Sequence, residues 1–184
     1  MTAHSGFQPK VLTIGHSTRP IETFIGMLQA FDVKRLADVR TIPKSRNNPQ
    51  FNRDALTDSL RIAGISYVEM KDLGGLRHAR PDSVNTGWRN GSFRGYADYM
   101  QTLEFEAALG RLIAAAEQEM VAIMCAEAVP WRCHRSLIAD ALQIHGIPVQ
   151  HIMSANRVQP HRLTSFAVVE GSRILYPSSQ APTS

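Results

Sequence analysis

The sequence contains no long hydrophobic run. Its longest stretch of apolar residues, around 121–124, is far shorter than the roughly 20 residues that a helix needs to cross a bilayer. The first nine residues lack the apolar segment of a secretory signal peptide. We therefore expect a soluble, cytoplasmic protein that does not bind membranes.

Cysteine is also scarce, because the 184 residues include 2 cysteines, Cys125 and Cys133. In a chain that is not exported, two cysteines are more often thiols, metal ligands or a redox pair than a structural disulfide. Both lie within 124–137, MCAEAVPWRCHRSL, together with Glu127, His134 and Arg135. This segment is therefore the first candidate for chemistry.

Lysine is nearly absent, and arginine supplies most of the positive charge. The net charge is +4, and the only lysines are at positions 10, 34, 44 and 71. The planar guanidinium group of arginine suits the recognition of phosphate and carboxylate groups. The composition is thus compatible with an anionic ligand, although a bias toward arginine codons would produce the same composition.

Several familiar motifs are missing. There is no Walker A sequence and no Gly-x-Gly-x-x-Gly. The spacing from Cys125 to Arg135 is too long for the phosphate loop of tyrosine phosphatases, and the two cysteines do not form a Cys-x-x-Cys motif. Two isolated cysteines with His16 or His134 are only a weak indication of a metal site, so the sequence assigns no cofactor.

Alternating strand and helix patterns predict an α/β fold. We predict strands at 10–14, 33–39, 65–70, 120–125 and 148–153, with helices at 20–28, 54–63, 96–113 and 135–145. This order implies a mostly parallel sheet of about five strands with helices on both faces, followed by a C-terminal β-hairpin over 166–176. We expect one domain over 10–176, with flexible tails at 1–9 and 177–184, and a long loop at 72–95 that is functional or mobile.

Polar and nucleophilic residues follow the ends of several predicted strands. Ligands of such sheets bind beyond the carboxyl ends of the strands, so we predict one site there. Its predicted catalytic residues are Cys125, Glu127, Cys133 and His134. Its predicted substrate-binding residues are His16, Ser17, Asp38, Arg40, Arg46, Arg77, Tyr96 and Arg135.

The motifs of the chain resemble one bacterial family. In order, TIGHST, LADVRTIPKSR, GISYVEMKDLGG, FRGYADYM, VAIMCAE and CHRSLIAD are similar to the domain of unknown function 488, over about 11–153. The resemblance implies a compact α/β domain with its motif residues at one end of the sheet. It implies no reaction, because none is established for the family.

Three functions fit the predicted site. The first is an enzyme, or a ligand-binding domain, that acts on a phosphate-bearing or otherwise anionic substrate such as a nucleotide or a nucleic-acid end. Arg40, Arg46 and Arg135 would bind the anion, Cys125 or Cys133 would be the nucleophile, and His134 or His16 would be the base. Glu127 would orient that base or act as an acid.

The second is a non-catalytic nucleic-acid-binding accessory protein that uses the arginines of 72–94 with Trp88 and Tyr96. The third is a metal or thiol-redox module, in which the two cysteines and a histidine hold zinc or iron, or in which the cysteines cycle through a disulfide. We place the enzyme first, because a surface that only binds needs no buried cysteine.

Overall fold

The computed structural model describes residue 8 and residues 10–179. Most of the predicted tails, namely 1–7, 9 and 180–184, lies outside the described residues. The helices are α1 (Ile21–Ala30), α2 (Arg53–Ile62), α3 (Gly91–Tyr99), α4 (Leu103–Gln118) and α5 (Arg135–Ile144). The strands are β1 (Val11–Gly15), β2 (Arg35–Asp38), β3 (Ser66–Glu69), β4 (Val121–Cys125), β5 (Val149–Ser154), β6 (Arg157–Pro160), β7 (Val168–Glu170) and β8 (Arg173–Leu175).

A six-stranded sheet in the order β3-β2-β4-β1-β5-β6 forms the centre of the fold. Its first five strands are parallel, and β6 pairs antiparallel with β5. The central strands β1 and β4 are buried along their whole length. Such strands need apolar side chains on both faces, which explains why VLTIG and VAIMC show no alternation with polar residues.

Helices cover both faces of the sheet, as the sequence predicts. Helices α1 and α2 pack on one face, where Phe24, Leu28 and Leu56 belong to one hydrophobic cluster. Helices α3, α4 and α5 pack on the other face with a second cluster that includes Leu112 and Leu137. The fold is therefore a parallel sheet between two helical layers, with its strand ends left free to form a site.

Two parts of the fold differ from the prediction made from the sequence. Strand β6 was not predicted, because its short polar sequence RVQP has no apolar alternation and forms only an edge strand beside β5. Helix α3 begins at Gly91, earlier than predicted, because the Asn90 side chain accepts hydrogen bonds from the first N–H groups of the helix. Thr102 caps α4 separately, so the predicted helix from 96 onward is two helices.

The C-terminal hairpin of β7 and β8 forms a separate two-stranded sheet, as predicted. Tyr176, directly after β8, is fully buried. Its backbone N–H donates to Asn85 Oδ1 at 2.9 Å, and its hydroxyl donates to Asp140 Oδ2 at 2.8 Å. These bonds attach the end of the hairpin to α5 and to the loop that precedes α3.

Among the described residues, no helix has the length and apolar character that crossing a membrane requires.

Candidate functional site

A cavity of about 430 Å³ lies beyond the carboxyl ends of β1, β2 and β4. Its polar lining comes from His16, Arg40, Thr41, Lys44, Ser45, Ser92, Cys125, Glu127, Arg132, Cys133 and His134. Its apolar lining includes Ile42, Leu76, Phe93 and Tyr96. The cavity thus combines two thiols, two imidazoles and several basic groups with an apolar wall.

Cys133 and His134 form a thiol–imidazole pair at the start of α5. Cys133 Sγ lies 3.5 Å from His134 Nδ1. The other ring nitrogen, His134 Nε2, lies 2.9 Å from the carbonyl oxygen of Val39. Since a carbonyl oxygen can only accept, Nε2 carries the hydrogen, and Nδ1 of the neutral ring has its lone pair toward the thiol. This is the arrangement that a general base for a cysteine requires.

Arg135 lies beneath the cavity and donates to Cys125. Its Nε is 2.9 Å from Cys125 Sγ, and its two terminal nitrogens donate to Thr13 Oγ1 at 3.1 Å and to the Glu127 carbonyl at 2.6 Å. Arg135 is only 1% exposed. Among the described residues, no carboxylate lies within ion-pairing distance of its guanidinium group.

A buried cation without a counter-ion is costly, so the two thiols are the natural place for a negative charge. Burial raises the pKa of Cys125, and its interaction with the neighbouring Cys133 raises it further. The pKa of Cys133 is lowered, first by its interaction with the neighbouring Cys125 thiol, then by His134 and Arg135, against the effect of burial.

The Arg135 contact alone would favour the charge on Cys125, because Nε donates directly to that sulfur. However, Cys125 is more deeply buried, and Cys133 lies beside the His134 ring, whose Nδ1 can take the thiol proton and then donate to the thiolate. We therefore assign the thiolate to Cys133, with Cys125 as the thiol that passes on the influence of Arg135.

His16, Arg40 and Asp38 form a second buried group on the opposite wall. The Asp38 carboxylate accepts from Arg40 Nε at 2.9 Å and from Arg40 NH2 at 2.6 Å, and the Tyr67 hydroxyl donates to it at 2.6 Å. Arg40 NH1 lies 3.4 Å from His16 Nε2, while His16 Nδ1 donates to the Ser17 carbonyl at 2.7 Å. Burial lowers the pKa of His16, so its ring is neutral and Nε2 is an acceptor.

The sequence of the chain matches the model of one known family. The family described as "Domain of unknown function DUF488" matches residues 20–142, more than half of the chain. The chain belongs to the DUF488 family. No curated protein and no solved structure matches the chain.

The DUF488 match includes the thiol pair, His134, Arg135 and the Asp38–Arg40 pair. Seven of the predicted site residues line the cavity of this DUF488 chain, namely His16, Arg40, Tyr96, Cys125, Glu127, Cys133 and His134. Two others lie beneath it, since Asp38 holds Arg40 and Arg135 holds Cys125.

Three predicted residues do not line the cavity of the DUF488 domain. Ser17 is adjacent to it and orients His16 through its carbonyl. Arg46 is exposed on the loop after β2. Arg77 donates to the Gly74 carbonyl and lies 3.6 Å from the centre of the Tyr99 ring, away from the thiols.

The contacts that Glu127 and Tyr96 make at the cavity cannot be inferred from the DUF488 motifs. The Glu127 side chain is exposed and accepts from the N–H of Ala128, while its backbone carbonyl accepts from Arg135. The Tyr96 hydroxyl donates to the Leu73 carbonyl at 2.8 Å, and its ring lies 5.1 Å from that of His134. Tyr96 thus supports the imidazole.

Sequence reasoning missed several residues of the DUF488 cavity. Lys44 and Arg132 add positive charge, and Ile42, Leu76 and Phe93 form the apolar wall. The position of Arg132, directly before Cys133, was a usable signal. The apolar wall had none, because exposed apolar residues are common on protein surfaces.

Within residues 10–179, no group of three or more histidine, cysteine or acidic side chains has the geometry of a metal site.

Proposed function

We propose that the protein is an enzyme in which Cys133 is the nucleophile and the substrate is a small anion, such as a nucleotide or a phosphate-bearing nucleic-acid end. The observation that carries the proposal is the pairing of Cys133 with the lone pair of His134 Nδ1 above a buried guanidinium that has no carboxylate partner. A lowered thiol pKa beside an oriented imidazole is typical of catalytic cysteines.

The charge of the cavity supports an anionic substrate. Lys44 and Arg132 contribute basic groups that are not paired with a buried carboxylate, unlike Arg40, and Glu127 is the only acid among the lining residues. Arg132 and Lys44 are exposed, so their charges are free to attract a ligand from solvent. The first turn of α5 adds the positive end of a helix dipole beside Cys133.

The apolar wall supports a substrate that is more than a bare ion. Ile42 and Leu76 are 63% and 73% exposed, and Phe93 lies beside them in the lining. Such side chains favour a planar or apolar portion attached to the anionic group. A nucleotide has both portions.

The proposed chemistry uses one proton and one new bond. His134 Nδ1 takes the thiol proton, and the Cys133 sulfur forms a bond to the electrophilic atom of the anionic group. The bond to the leaving group then breaks, and the leaving group departs with its electron pair and takes the proton from His134. Arg135 stabilises the thiolate through Cys125 before the attack.

Alkylation of the thiols as a function of pH tests the proposal. With iodoacetamide and mass spectrometry to identify the modified residue, we expect Cys133 to react with an apparent pKa well below the ordinary value of about 8.5. His134→Asn should remove most of the reactivity at pH 6, whereas the exposed His145→Asn should leave it unchanged. The proposal fails if both thiols react only with an ordinary pKa.

A second candidate function is thiol-redox chemistry, which the presence of two free thiols in the lining of one cavity favours. A disulfide substrate would accept the Cys133 thiolate and release one thiolate, and Cys125 would then displace the second while the pair becomes a disulfide. A thiol count after treatment with oxidised glutathione distinguishes the two functions. Two thiols that remain reduced would exclude the redox function.

The non-catalytic nucleic-acid account has less support. Trp88 stacks on Phe93 and also packs against Phe166 and Tyr176, and Tyr96 is buried. Rings that are packed in this way are poor stacking platforms for bases.

A further inference from the structure

Three polar side chains, those of Thr13, His151 and His161, connect Arg135 to Asp140 through hydrogen bonds. Arg135 NH1 donates to Thr13 Oγ1 at 3.1 Å, and Thr13 Oγ1 lies 2.7 Å from His151 Nδ1. His151 Nε2 lies 3.0 Å from His161 Nδ1, and His161 Nε2 lies 2.7 Å from Asp140 Oδ1. We call Thr13, His151, His161 and Asp140 the relay.

With both rings neutral, the Asp140 end sets the direction of every hydrogen bond in the relay. The Asp140 carboxylate accepts, so His161 Nε2 carries a hydrogen and the Nδ1 of a neutral His161 accepts from His151 Nε2. His151 Nδ1 must then accept from the Thr13 hydroxyl. That hydroxyl oxygen remains free to accept a hydrogen bond from Arg135. Every hydrogen bond of the relay can therefore form when both rings are neutral.

The relay is not a second nucleophilic centre, although a hydroxyl, two imidazoles and a carboxylate in series resemble one. Thr13 is 0% exposed, and it is absent from the lining of the described cavities. A substrate therefore has no path to its oxygen. The group that the relay does contact is Arg135.

The relay connects two buried charged side chains. Arg135 and Asp140 are both buried and carry opposite charges, and they lie at the two ends of this series of hydrogen bonds. Asp140 also accepts from the N–H and hydroxyl of Thr164 and from the Tyr176 hydroxyl. A carboxylate with this many donors is fixed in place, and the relay transmits that fixed position to the guanidinium.

We infer that the relay residues are positioning residues that hold the Arg135 guanidinium in the orientation from which Nε donates to Cys125, and that they thereby set the reactivity of Cys133. This inference rests on the proposed thiolate. It adds three parts of the chain, β1, β5 and the segment after β6, to a site whose thiols lie on β4 and before α5.

Thr13 offers a matched pair of variants. Thr13→Val keeps the shape of the side chain and removes the hydroxyl, so that Arg135 NH1 loses its acceptor and His151 loses its donor. Thr13→Ser keeps the hydroxyl. We expect the midpoint of the pH profile of Cys133 alkylation to rise by about one pH unit in Thr13→Val, which is a tenfold lower rate at any pH below both midpoints, and to stay near the wild-type midpoint in Thr13→Ser.

His161→Asn breaks the relay at its other end and provides a second test if Thr13→Val does not fold. We expect the same shift of the Cys133 pH profile. The titratable and charged groups around Cys133 are Cys125 from β4, Arg132 and His134 from the segment before α5, Arg135 from α5 and Tyr96 from α3, and all are retained in these variants. A purely structural effect would lower the melting temperature without moving the profile.

The outcomes separate the two proposals. An ordinary thiol pKa in the wild-type protein overturns the proposed function. A low wild-type pKa that Thr13→Val and His161→Asn leave unchanged overturns the relay alone. Equal shifts in Thr13→Val and Thr13→Ser also overturn it, because the hydroxyl would then not be the group that matters.

Discussion

Two buried arginines in this protein, Arg40 and Arg135, have different hydrogen-bond partners. Arg40 is paired with the Asp38 carboxylate through two guanidinium nitrogens, and these bonds raise its pKa although burial opposes them. Arg135 has no carboxylate partner among the described residues and donates to a sulfur, a hydroxyl and a carbonyl. The first arrangement is structural, whereas the second leaves a positive charge available to a thiolate.

Asp38→Asn tests the structural arrangement. The amide removes the negative charge from a fully buried position and leaves the Arg40 guanidinium without its counter-ion. We expect the free energy of unfolding to fall by about 3–5 kcal/mol in denaturant titrations. Asp58→Asn, in an exposed pair with Arg61, is the control and should change it by about 0.5 kcal/mol or less. Similar effects in both variants would contradict the prediction.

At the scale of elements, the site depends on the close approach of two chain segments at the ends of β1 and β4. The β1–β4 ladder continues into the loops, because His16 and Ser17 donate to the carbonyls of Cys125 and Ala126. A side chain at Gly15 would overlap the Glu127 carbonyl, and that carbonyl accepts from Arg135. Glycine at this position therefore lets the loop that follows β4 lie against β1.

Gly15→Ala tests this approach. Its Cβ displaces the Glu127 backbone, so we expect a loss of about 1–3 kcal/mol in unfolding free energy together with slower alkylation of Cys133 at pH 6. The control is Gly110→Ala in α4, where no atom lies near the added carbon and alanine should stabilise the helix by about 0.5–1 kcal/mol. Wild-type stability in Gly15→Ala would show that the loop shifts without cost.

At the scale of the whole molecule, the relay makes stability depend on pH. Burial, followed by His161 and Arg135, lowers the pKa of His151 to about 3 against the opposing effect of Asp140. The unfolded chain therefore binds a proton between about pH 6.5 and pH 3 that the folded protein excludes. This contribution is fully present above pH 6.5 and is lost as the pH falls toward 3.

We expect His151→Asn to reduce the pH dependence of stability. Between pH 6.5 and 4.5, the unfolding free energy of the wild-type protein should fall more steeply than that of the variant, by up to about 1.4 kcal/mol per pH unit for one proton. Denaturant titrations at several pH values measure how steeply the unfolding free energy changes with pH in the wild-type protein and in His151→Asn. The carboxylates contribute equally to the slope of both proteins. The exposed His145→Asn should keep the wild-type slope. Parallel curves for all three proteins would contradict the prediction.

The sequence by itself determined the layered fold and the edge of the sheet at which the site lies. Strand and helix patterns are local, and the apolar runs of β1 and β4 required cover on both faces. The positions of the strand ends then placed His16, Arg40 and Cys125 at one edge. Strand β6 and the start of α3 were not predicted because their sequence signals are weak. Strand β6 is a short polar edge strand, and α3 begins with glycine.

Only the tertiary structure decided the roles of the residues at that edge. It favours Cys133 over Cys125 as the thiolate, uses the carbonyl of Glu127 to hold Arg135, and buries Arg135 beneath the thiols. It also joins Thr13 to His151, which lie 138 positions apart. Burial and hydrogen bonding set the charge of a group, and both depend on neighbours that are distant in the chain, so no local pattern specifies them.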